Sequence, residues 1–243
     1  MAGGKRITDR VIYFVKLAYV VDFDGTVTRK DITSILAKTY AGQAASEVYR
    51  LYREGKIGMR RWLEEMVRHF PGDYEQMLAL ALAAADFKPG FAQFLIFAHE
   101  SGSPVYIASD GFGFYIEPIL ERQGLLEYIS GIYCNSLVIG SNGSVAIETP
   151  HGNPTCDICG NCKAMHVVKL KEKGFRVVYI GNGFNDRYGA SHADFIFARA
   201  GDRLAEYCAA NNIPFVPFAD FYDIIQFSYP DKMADVGRPL CTP

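Results

Sequence analysis

Residues 17–26 have the sequence LAYVVDFDGT, in which an apolar run ends at two closely spaced carboxylates. The run Leu17–Val21 is β-branched at its end, which is typical of a strand buried in a parallel sheet. Asp22 and Asp24 then point the same way just past the carboxyl end of this strand, where open α/β sheets bind ligands. Two such carboxylates repel each other and lose hydration, so the pair favours a neighbouring divalent cation over a simple helix cap and turn.

Two further motifs follow later predicted strands. Ser109-Asp110-Gly111 comes directly after the apolar run PVYIA. Its hydroxyl and backbone N–H groups can hold a phosphate, although an ordinary helix cap explains the same residues. Asn182 and Asp186 follow the run VVYI and provide oxygen ligands that suit Mg²⁺.

A lysine completes the set of motifs. Lys163 opens a predicted helix after the sequence CGNC, where its charge opposes the helix dipole. A surface lysine is the commoner explanation, but the order of the motifs along the chain argues for a shared site. Asp-x-Asp, Ser, Lys and Asn/Asp follow three successive strands or enter a helix beside them, so all four would converge on one crevice.

The remaining pattern predicts an α/β fold, a parallel sheet flanked by helices, with additional strands at 195–197 and 213–216. The long segment between the first two strands carries four predicted helices, at 31–41, 44–54, 59–70 and 74–85. We interpret residues 31–87 as a small all-helical cap inserted into a discontinuous core of residues 1–30 and 88–243. After the cap, a helix is predicted from Pro89 to Glu100. A β-hairpin is predicted over 132–147, with its turn at Asn142-Gly143.

Composition narrows the classes of partner. The chain has 243 residues, with 25 basic and 27 acidic side chains, and a net charge of −2 gives no general attraction to nucleic acid or acidic membranes. The apolar run at 11–21 contains Lys16, is too short to span a membrane and lacks a signal-peptide cleavage site after it. Six cysteines are too few for a disulfide scaffold, so we expect reduced thiols and a cytoplasmic location. A small-molecule partner is favoured, and a homodimer is left open.

Together, the motifs resemble those of the haloacid dehalogenase (HAD) superfamily over most of the chain. The resemblance implies a HAD-like Rossmannoid sheet with a C1-type helical cap, and Mg²⁺-dependent hydrolysis of a small phosphomonoester. It implies Asp22 as the nucleophile that forms an aspartyl-phosphate, and Asp24 as general acid and then base. The phosphoryl group would be bound by Thr26, Ser109, Asp110, Gly111 and Lys163. Mg²⁺ would be bound by Asp22, the Asp24 backbone carbonyl, Asn182 and, in or just behind the metal shell, Asp186.

A narrower resemblance is to the methionine-salvage phosphatases, which hydrolyse 2-hydroxy-3-keto-5-methylthiopentenyl-1-phosphate. It rests on the segments DFDGTVTRKD at 22–31, YCN at 133–135, PH at 150–151, CGNCK at 159–163 and PFADFY at 217–222. Phosphoserine phosphatases are similar in the core, but they usually carry Glu in the first-motif helix, where this chain has Asp31, and Gly-Pro before the lysine. The alternatives are a phosphatase for phosphoserine or another small phosphoester, or a phosphate-binding or regulatory protein with impaired catalysis.

Three features depart from the HAD pattern or stand outside it. Asn182 stands where the family usually has Asp; it keeps an oxygen ligand but lacks the negative charge, so we expect a lower metal affinity or a different preferred metal. Gly113 replaces an Asp often found near the cap, which bears on substrate choice. The loop containing His151, Cys156, Cys159 and Cys162 has two interpretations: a structural zinc site, or a tight loop of reduced thiols.

Overall fold

The computed structural model, which describes residues 16–231, places Leu17–Val21 at the centre of a seven-stranded sheet as β1. The strand order is β4-β3-β2-β1-β5-β6-β7, and every pairing is parallel except that of β3 with β4. The other strands are β2 Val105–Phe112, β3 Gly131–Ile139, β4 Val145–Glu148, β5 Arg176–Gly181, β6 Phe195–Arg199 and β7 Val216–Phe218.

Helices cover both faces of the sheet, as the side chains of β1 illustrate. Tyr19 and Val21 pack into one apolar cluster and Ala18 and Val20 into another, because successive strand residues face opposite sides. The helices are α1 Ile32–Tyr40, α2 Gly42–Arg53, α3 Met59–Val67, α4 Tyr74–Ala84, α5 Phe91–Glu100, α6 Gly113–Arg122, α7 Lys163–Glu172, α8 Asp186–Ala190, α9 Arg203–Ala210 and α10 Phe221–Ser228. The first cluster contains residues of α5, α6 and α10, and the second contains residues of α7, α8 and α9. The predicted α/β fold is confirmed.

Helices α1–α4 form one continuous segment between β1 and β2, which we call the helical insertion (residues 31–87). Asp31 caps α1 by accepting a hydrogen bond from the Ser34 N–H at 2.7 Å. The two ends of the insertion meet at an antiparallel bridge between Thr28 and Phe87. The insertion buries apolar side chains of its own, such as Leu63. Its four helices form within a few residues of their predicted positions.

Three boundaries differ from the prediction. Residues 109–111 lie inside β2 and not after it, in a stretch where the pairing with β3 is irregular. The last strand is Val216–Phe218, because the Ile213 N–H closes the end of α9 on the Cys208 carbonyl. Helix α5 starts at Phe91 behind Gly90, which has a φ of 82°, so Pro89 lies before the helix.

The predicted hairpin is present as β3 and β4, and Gly143 adopts a φ of 79° in its turn. Residues 1–15 and 232–243, which the sequence prediction assigns to the core, lie outside the described residues. Within residues 16–231, the structure contains no helix long and apolar enough to cross a membrane.

Candidate active site

The carboxyl ends of β1, β2 and β5 meet at a cavity of about 110 Å³, and residues of the helical insertion form part of its lining. The core contributes side chains that the sequence singled out: Asp22, Asp24, Ser109, Asp110, Gly111, Lys163, Asn182 and Asp186. The insertion contributes Asp31, Thr33, Tyr52, Met59, Trp62 and Leu63. Thr26 is fully buried directly behind this lining. The predicted convergence on one crevice is therefore present.

A buried ion triad lies at the floor of the cavity. The Lys163 Nζ donates to Asp22 Oδ1 at 2.7 Å and to Asp186 Oδ1 at 2.5 Å. Burial and the nearby Asp186 raise the pKa of Asp22, and the Lys163 ammonium opposes that rise. Burial alone would lower the pKa of Lys163, but the surrounding carboxylates raise it well above its usual value. Lys163 is therefore a permanent cation beside the Asp22 carboxyl group.

Asp186 is the anchor of this triad. Its Oδ1 accepts from Lys163 and from the Tyr179 hydroxyl at 2.7 Å. Its Oδ2 accepts from the backbone N–H groups of Asn182 at 2.9 Å and Gly183 at 2.7 Å. A carboxylate has about four acceptor positions, so these four donors occupy all of them. Asp186 thus holds both Lys163 and the loop after β5 in place.

Thr26 links the two strongest candidate metal ligands. Its hydroxyl is 3.0 Å from Asp22 Oδ2 and 3.0 Å from the amide oxygen of Asn182. The Asn182 Nδ2 donates to Asp202 Oδ2 at 3.1 Å. An Asp in place of Asn182 would put a second carboxylate against Asp202, so the amide suits its surroundings while keeping an oxygen towards Asp22 and Thr26.

Asp24 lies on the side of the cavity nearest the insertion. Its Oδ1 accepts from the Ile32 N–H at 2.9 Å, and its Oδ2 accepts from Thr33 Oγ1 at 3.2 Å and from the Tyr115 hydroxyl. Burial and the charge of Asp31 raise the pKa of Asp24 to about 7, against the effect of these hydrogen bonds. A carboxyl group with such a pKa can both give and take a proton near neutral pH.

The Ser109–Gly111 stretch is held by hydrogen bonds that the sequence did not reveal. Asn161 donates from its Nδ2 to the Ser109 carbonyl at 2.9 Å and from its backbone N–H to Asp110 Oδ1 at 3.1 Å. The Asn161 Oδ1 is 2.6 Å from His166 Nε2. Burial lowers the pKa of His166 to about 3, so the ring is neutral. The short CGNCK motif was the only signal for Asn161, and nothing in the sequence marked His166.

Two more residues escaped the sequence analysis. The Tyr52 hydroxyl of α2 donates to Asn185 Oδ1 at 3.0 Å, and Asn185 Nδ2 donates to Asp110 Oδ2 at 3.2 Å. Tyr115 contacts Asp24 from α6. A helical tyrosine next to other aromatic residues is more often a packing residue than a site residue, so the sequence alone did not single out Tyr52 or Tyr115.

The charges of the lining fit a divalent cation. Among the described residues, five carboxyl groups (Asp22, Asp24, Asp31, Asp110 and Asp186) face one ammonium group, that of Lys163. Asp22 and Asn182 offer the oxygen ligands that Mg²⁺ prefers, and the Asp24 backbone carbonyl is a third oxygen on the same segment. The residues present therefore fit a magnesium ion.

No group of three or more His, Cys, Asp or Glu side chains in residues 16–231 is arranged to hold a metal ion, and this includes the loop with His151 and the three nearby cysteines. The five cysteines in that part of the chain are unpaired thiols. Burial raises the pKa of Cys159 to about 12, which keeps its thiol protonated. His151 packs edge-on against Tyr133, 5.2 Å between ring centroids.

Known proteins are similar to this chain in sequence and in fold. The family model described as Putative Phosphatase matches residues 17–216. A 2-hydroxy-3-keto-5-methylthiopentenyl-1-phosphate phosphatase of Bacillus cereus (strain G9842) is 31% identical over 209 residues, which cover 84% of this chain and 91% of the relative. The phosphatase of the same name from Exiguobacterium sibiricum is 33% identical over 211 residues, which cover 84% and 92%.

Solved structures support the same assignment at the level of fold. A phosphoserine phosphatase with a phospho-aspartyl intermediate analogue superimposes with a TM-score of 0.66 at 19% identity, over 88% of this chain and 98% of the other. A HAD family hydrolase from Salmonella enterica gives a TM-score of 0.68 at 15% identity, over 90% and 73%. With a family model matched over most of its length, relatives above 30% identity and this shared fold, the chain belongs to the Putative Phosphatase family and is a phosphatase with the haloacid dehalogenase fold.

Proposed function

We propose that this phosphatase hydrolyses a small phosphomonoester with Mg²⁺, through an aspartyl-phosphate on Asp22. The observation that carries the proposal is the position of Asp22. It directly follows the central strand, it is only 6% exposed, and its carboxyl group borders the cavity beside the buried Lys163 ammonium. A carboxylate next to a fixed cation is suited to attack a phosphoryl group that would otherwise repel it.

In the first step, an Asp22 oxygen attacks phosphorus and the bond from phosphorus to the leaving oxygen breaks. Asp24 gives its proton to that oxygen, so an alcohol departs, which for an enyl phosphate is an enol, and Asp24 is left as a carboxylate. The elevated pKa of about 7 keeps a substantial fraction of Asp24 protonated near neutral pH. The products of this step are the alcohol and the phosphorylated Asp22.

In the second step, Asp24 takes a proton from a water molecule whose oxygen attacks phosphorus. The bond between phosphorus and the Asp22 oxygen breaks, orthophosphate departs, and both carboxyl groups regain their initial protonation states. Dividing hydrolysis in this way replaces one difficult displacement by two easier ones.

Lys163 and the Ser109 hydroxyl would hold the phosphoryl oxygens. The Ser109 hydroxyl oxygen accepts from the Gly111 N–H at 2.9 Å, which leaves the hydroxyl proton available for donation. Asp22, the Asp24 carbonyl and Asn182 would hold Mg²⁺, with Asp186 directly behind them. When bound, the ion supplies positive charge that offsets the negative charge of the phosphoryl group.

The lining favours a substrate without a carboxylate. Phosphoserine carries one, and Lys163 is the cation that the described lining offers, already bonded to two carboxylates. The insertion contributes Met59, Trp62 and Leu63, an apolar wall that suits a methylthio chain. We therefore propose 2-hydroxy-3-keto-5-methylthiopentenyl-1-phosphate as the substrate and methionine salvage as the pathway.

The helical insertion would act as a C1-type cap. The cavity of about 110 Å³ is smaller than the roughly 300–1,000 Å³ of typical ligand sites. In this proposal the insertion moves outwards to admit the substrate and then closes to exclude water. The unpaired thiols suit a reducing cytoplasm.

Phosphate release from a panel of small phosphoesters tests the proposal. The panel contains 2-hydroxy-3-keto-5-methylthiopentenyl-1-phosphate, phosphoserine and p-nitrophenyl phosphate, each with Mg²⁺ and with EDTA. Asp22→Asn should lower turnover by about 10³-fold or more. Asp157→Asn, at an exposed position of the loop with Cys156, Cys159 and Cys162 (the cysteine loop), should not. Borohydride reduction should trap the acyl phosphate at Asp22. Turnover by Asp22→Asn equal to that of the unchanged protein would refute the mechanism, and faster turnover of phosphoserine would refute the substrate.

A further inference from the structure

The carboxyl group of Asp24 is held between two hydroxyl groups from different parts of the chain. Tyr115 comes from α6 of the core and Thr33 from α1 of the helical insertion, and their hydroxyl oxygens are 2.8 Å apart. Both contact the same oxygen, Oδ2 of Asp24. We propose that Tyr115 and Thr33 are positioning residues that fix the rotation of the Asp24 carboxyl group, so that Oδ1 carries the proton given to the leaving group. This inference rests on the proposed function.

Acceptor positions on the carboxyl group lead to this assignment. A carboxylate has about four lone-pair positions, two on each oxygen. At Oδ2, both are occupied or blocked by the hydroxyls of Tyr115 and Thr33. At Oδ1, the Ile32 N–H occupies one, at 2.9 Å. The remaining position on Oδ1 is the one where a transferable proton can reside without displacing an existing hydrogen bond.

Packing keeps Tyr115 from turning away. The side chain is fully buried, with its ring 5.3 Å from that of Phe114 and 6.4 Å from that of Phe23 between centroids. Gly111 leaves the space that the hydroxyl needs, since a Cβ at that position would lie 1.9 Å from the Tyr115 hydroxyl oxygen and 2.5 Å from Asp24 Oδ2. A glycine at position 111 thus has a steric reason that is separate from phosphate binding.

The chemistry predicts a specific signature for residues that act through Asp24. An alkoxide is a strong base and leaves only with a proton, whereas nitrophenolate is a weak base and leaves without one. The ratio kcat/KM includes only the steps up to departure of the leaving group. A misoriented Asp24 should therefore lower kcat/KM for an alkyl phosphate and leave it nearly unchanged for p-nitrophenyl phosphate.

The experiment compares Tyr115→Phe and Thr33→Val, each of which removes one hydroxyl and keeps the size of the side chain. We expect kcat/KM for phosphoserine, the alkyl phosphate of the panel, to fall roughly tenfold. This is part of the 10²–10⁴-fold that general acid catalysis provides. For p-nitrophenyl phosphate we expect a change of less than about twofold. Thr33→Ser keeps the hydroxyl and should retain the activity of the unchanged protein.

Tyr74→Phe is the matched control. Tyr74 lies on α4 of the insertion and its side chain is exposed. Its hydroxyl donates a hydrogen bond to the Phe114 carbonyl at 3.4 Å. Removal of this hydroxyl should leave kcat/KM unchanged for both substrates. Equal losses of kcat/KM for both substrates in Tyr115→Phe, or no loss for the alkyl phosphate, would overturn the positioning role.

Asp24→Asn, measured in parallel, separates this inference from the proposed function. If this variant loses activity mainly towards the alkyl phosphate while Tyr115→Phe and Thr33→Val do not, Asp24 is the acid and the positioning role is wrong. If Asp24→Asn lowers kcat/KM equally for both substrates, Asp24 is not the general acid.

Discussion

Side chains that hold the site also set how the protein responds to acid. His166 stacks on Tyr133 with ring centroids 4.0 Å apart, and it contacts Asn161, which in turn fixes the carbonyl of Ser109. Its position inside the core keeps the ring neutral. A neutral ring can donate one hydrogen bond and accept another, whereas a protonated ring would bring an unpaired charge into this network.

This arrangement predicts a pH dependence of stability. The pKa of His166 is about 3 in the folded state against 6.5 ordinarily. The unfolded chain therefore binds a proton that the folded protein does not, and the free energy of unfolding should fall as the pH drops from about 6.5 towards 3. The slope from this one group is at most about 1.4 kcal/mol per pH unit.

Urea unfolding at several pH values, for the unchanged protein and for His166→Gln, measures this slope. The glutamine amide can still donate to Asn161 but does not titrate. The difference in unfolding free energy between the two proteins should change with pH below about 6.5. A constant difference from pH 7.5 to pH 4 would contradict the prediction.

At the scale of single residues, the sequence identified the charged residues that line the cavity but not the residues that hold them in place. Asp22, Asp24 and Asp186 could be found because charged groups after buried strands are costly without a purpose, and Lys163 because it opens a helix against the helix dipole. Asn161, His166 and Tyr115 could not, since their roles depend on contacts between segments distant in the chain.

Among the elements, helix α3 determines the shape of the cavity on the side of the insertion, because it carries Met59, Trp62 and Leu63. Its N-cap, Gly58, packs against the backbone of Ile158 in the cysteine loop, and the Arg60 N–H donates to the Ile158 carbonyl at 3.0 Å. This close contact fixes where the apolar wall lies relative to the core.

Gly58→Ala should move that wall. A Cβ at this position would lie 2.5 Å from the Ile158 carbonyl oxygen and 2.8 Å from its Cα, so α3 has to shift. We expect a loss of about 1–3 kcal/mol in stability and a severalfold higher KM, with inhibition by orthophosphate unchanged because the core residues that bind it stay in place. Steady-state kinetics and urea unfolding provide these measurements.

Gly55→Ala serves as the control for Gly58→Ala. It lies in the same loop with a φ of 71° and open space around it. It should cost about 1–2 kcal/mol through backbone strain and leave KM unaltered. A raised KM in both variants would mean that lost stability, and not the position of α3, explains the effect.

Elements were predictable where periodicity was long and uninterrupted. Helices α1–α4 and strand β1 follow from apolar spacing. The extension of β2 through residues 109–112 did not, because polar residues at the end of a strand look like the start of a loop. The final strand shifted because Ile213 is used to close α9.

For the molecule as a whole, the excess of carboxyl groups in the cavity links metal binding to folding. An ion that binds only the folded state stabilises it by RT ln(1 + [L]/Kd), about 2.7 kcal/mol at 100 times Kd. For a protein of this size, each kcal/mol raises Tm by roughly 2–4 °C. Mg²⁺ at saturating concentration should therefore raise Tm by several degrees.

Thermal unfolding with Mg²⁺, and with Mg²⁺ plus EDTA, tests this linkage. The increase should disappear with EDTA and be much smaller in Asn182→Ala, which lacks the proposed amide ligand. The exposed-site variant Asp157→Asn should keep the full increase. No change in Tm for the unchanged protein at high Mg²⁺ would argue against a metal at this site.

The order of the strands also has a consequence for how the protein is made. Of the seven strands, the central strand β1 is synthesised first. Its partner β2 follows the whole helical insertion, and its other partner β5 begins only at residue 176. At about 5–20 residues per second, the ribosome needs on the order of ten seconds or more to reach β5. Until β2 emerges, the apolar strand Leu17–Val21 has no sheet to join, and its other edge stays unpaired until β5 emerges, so newly made chains should depend on chaperones that shield this segment during that time.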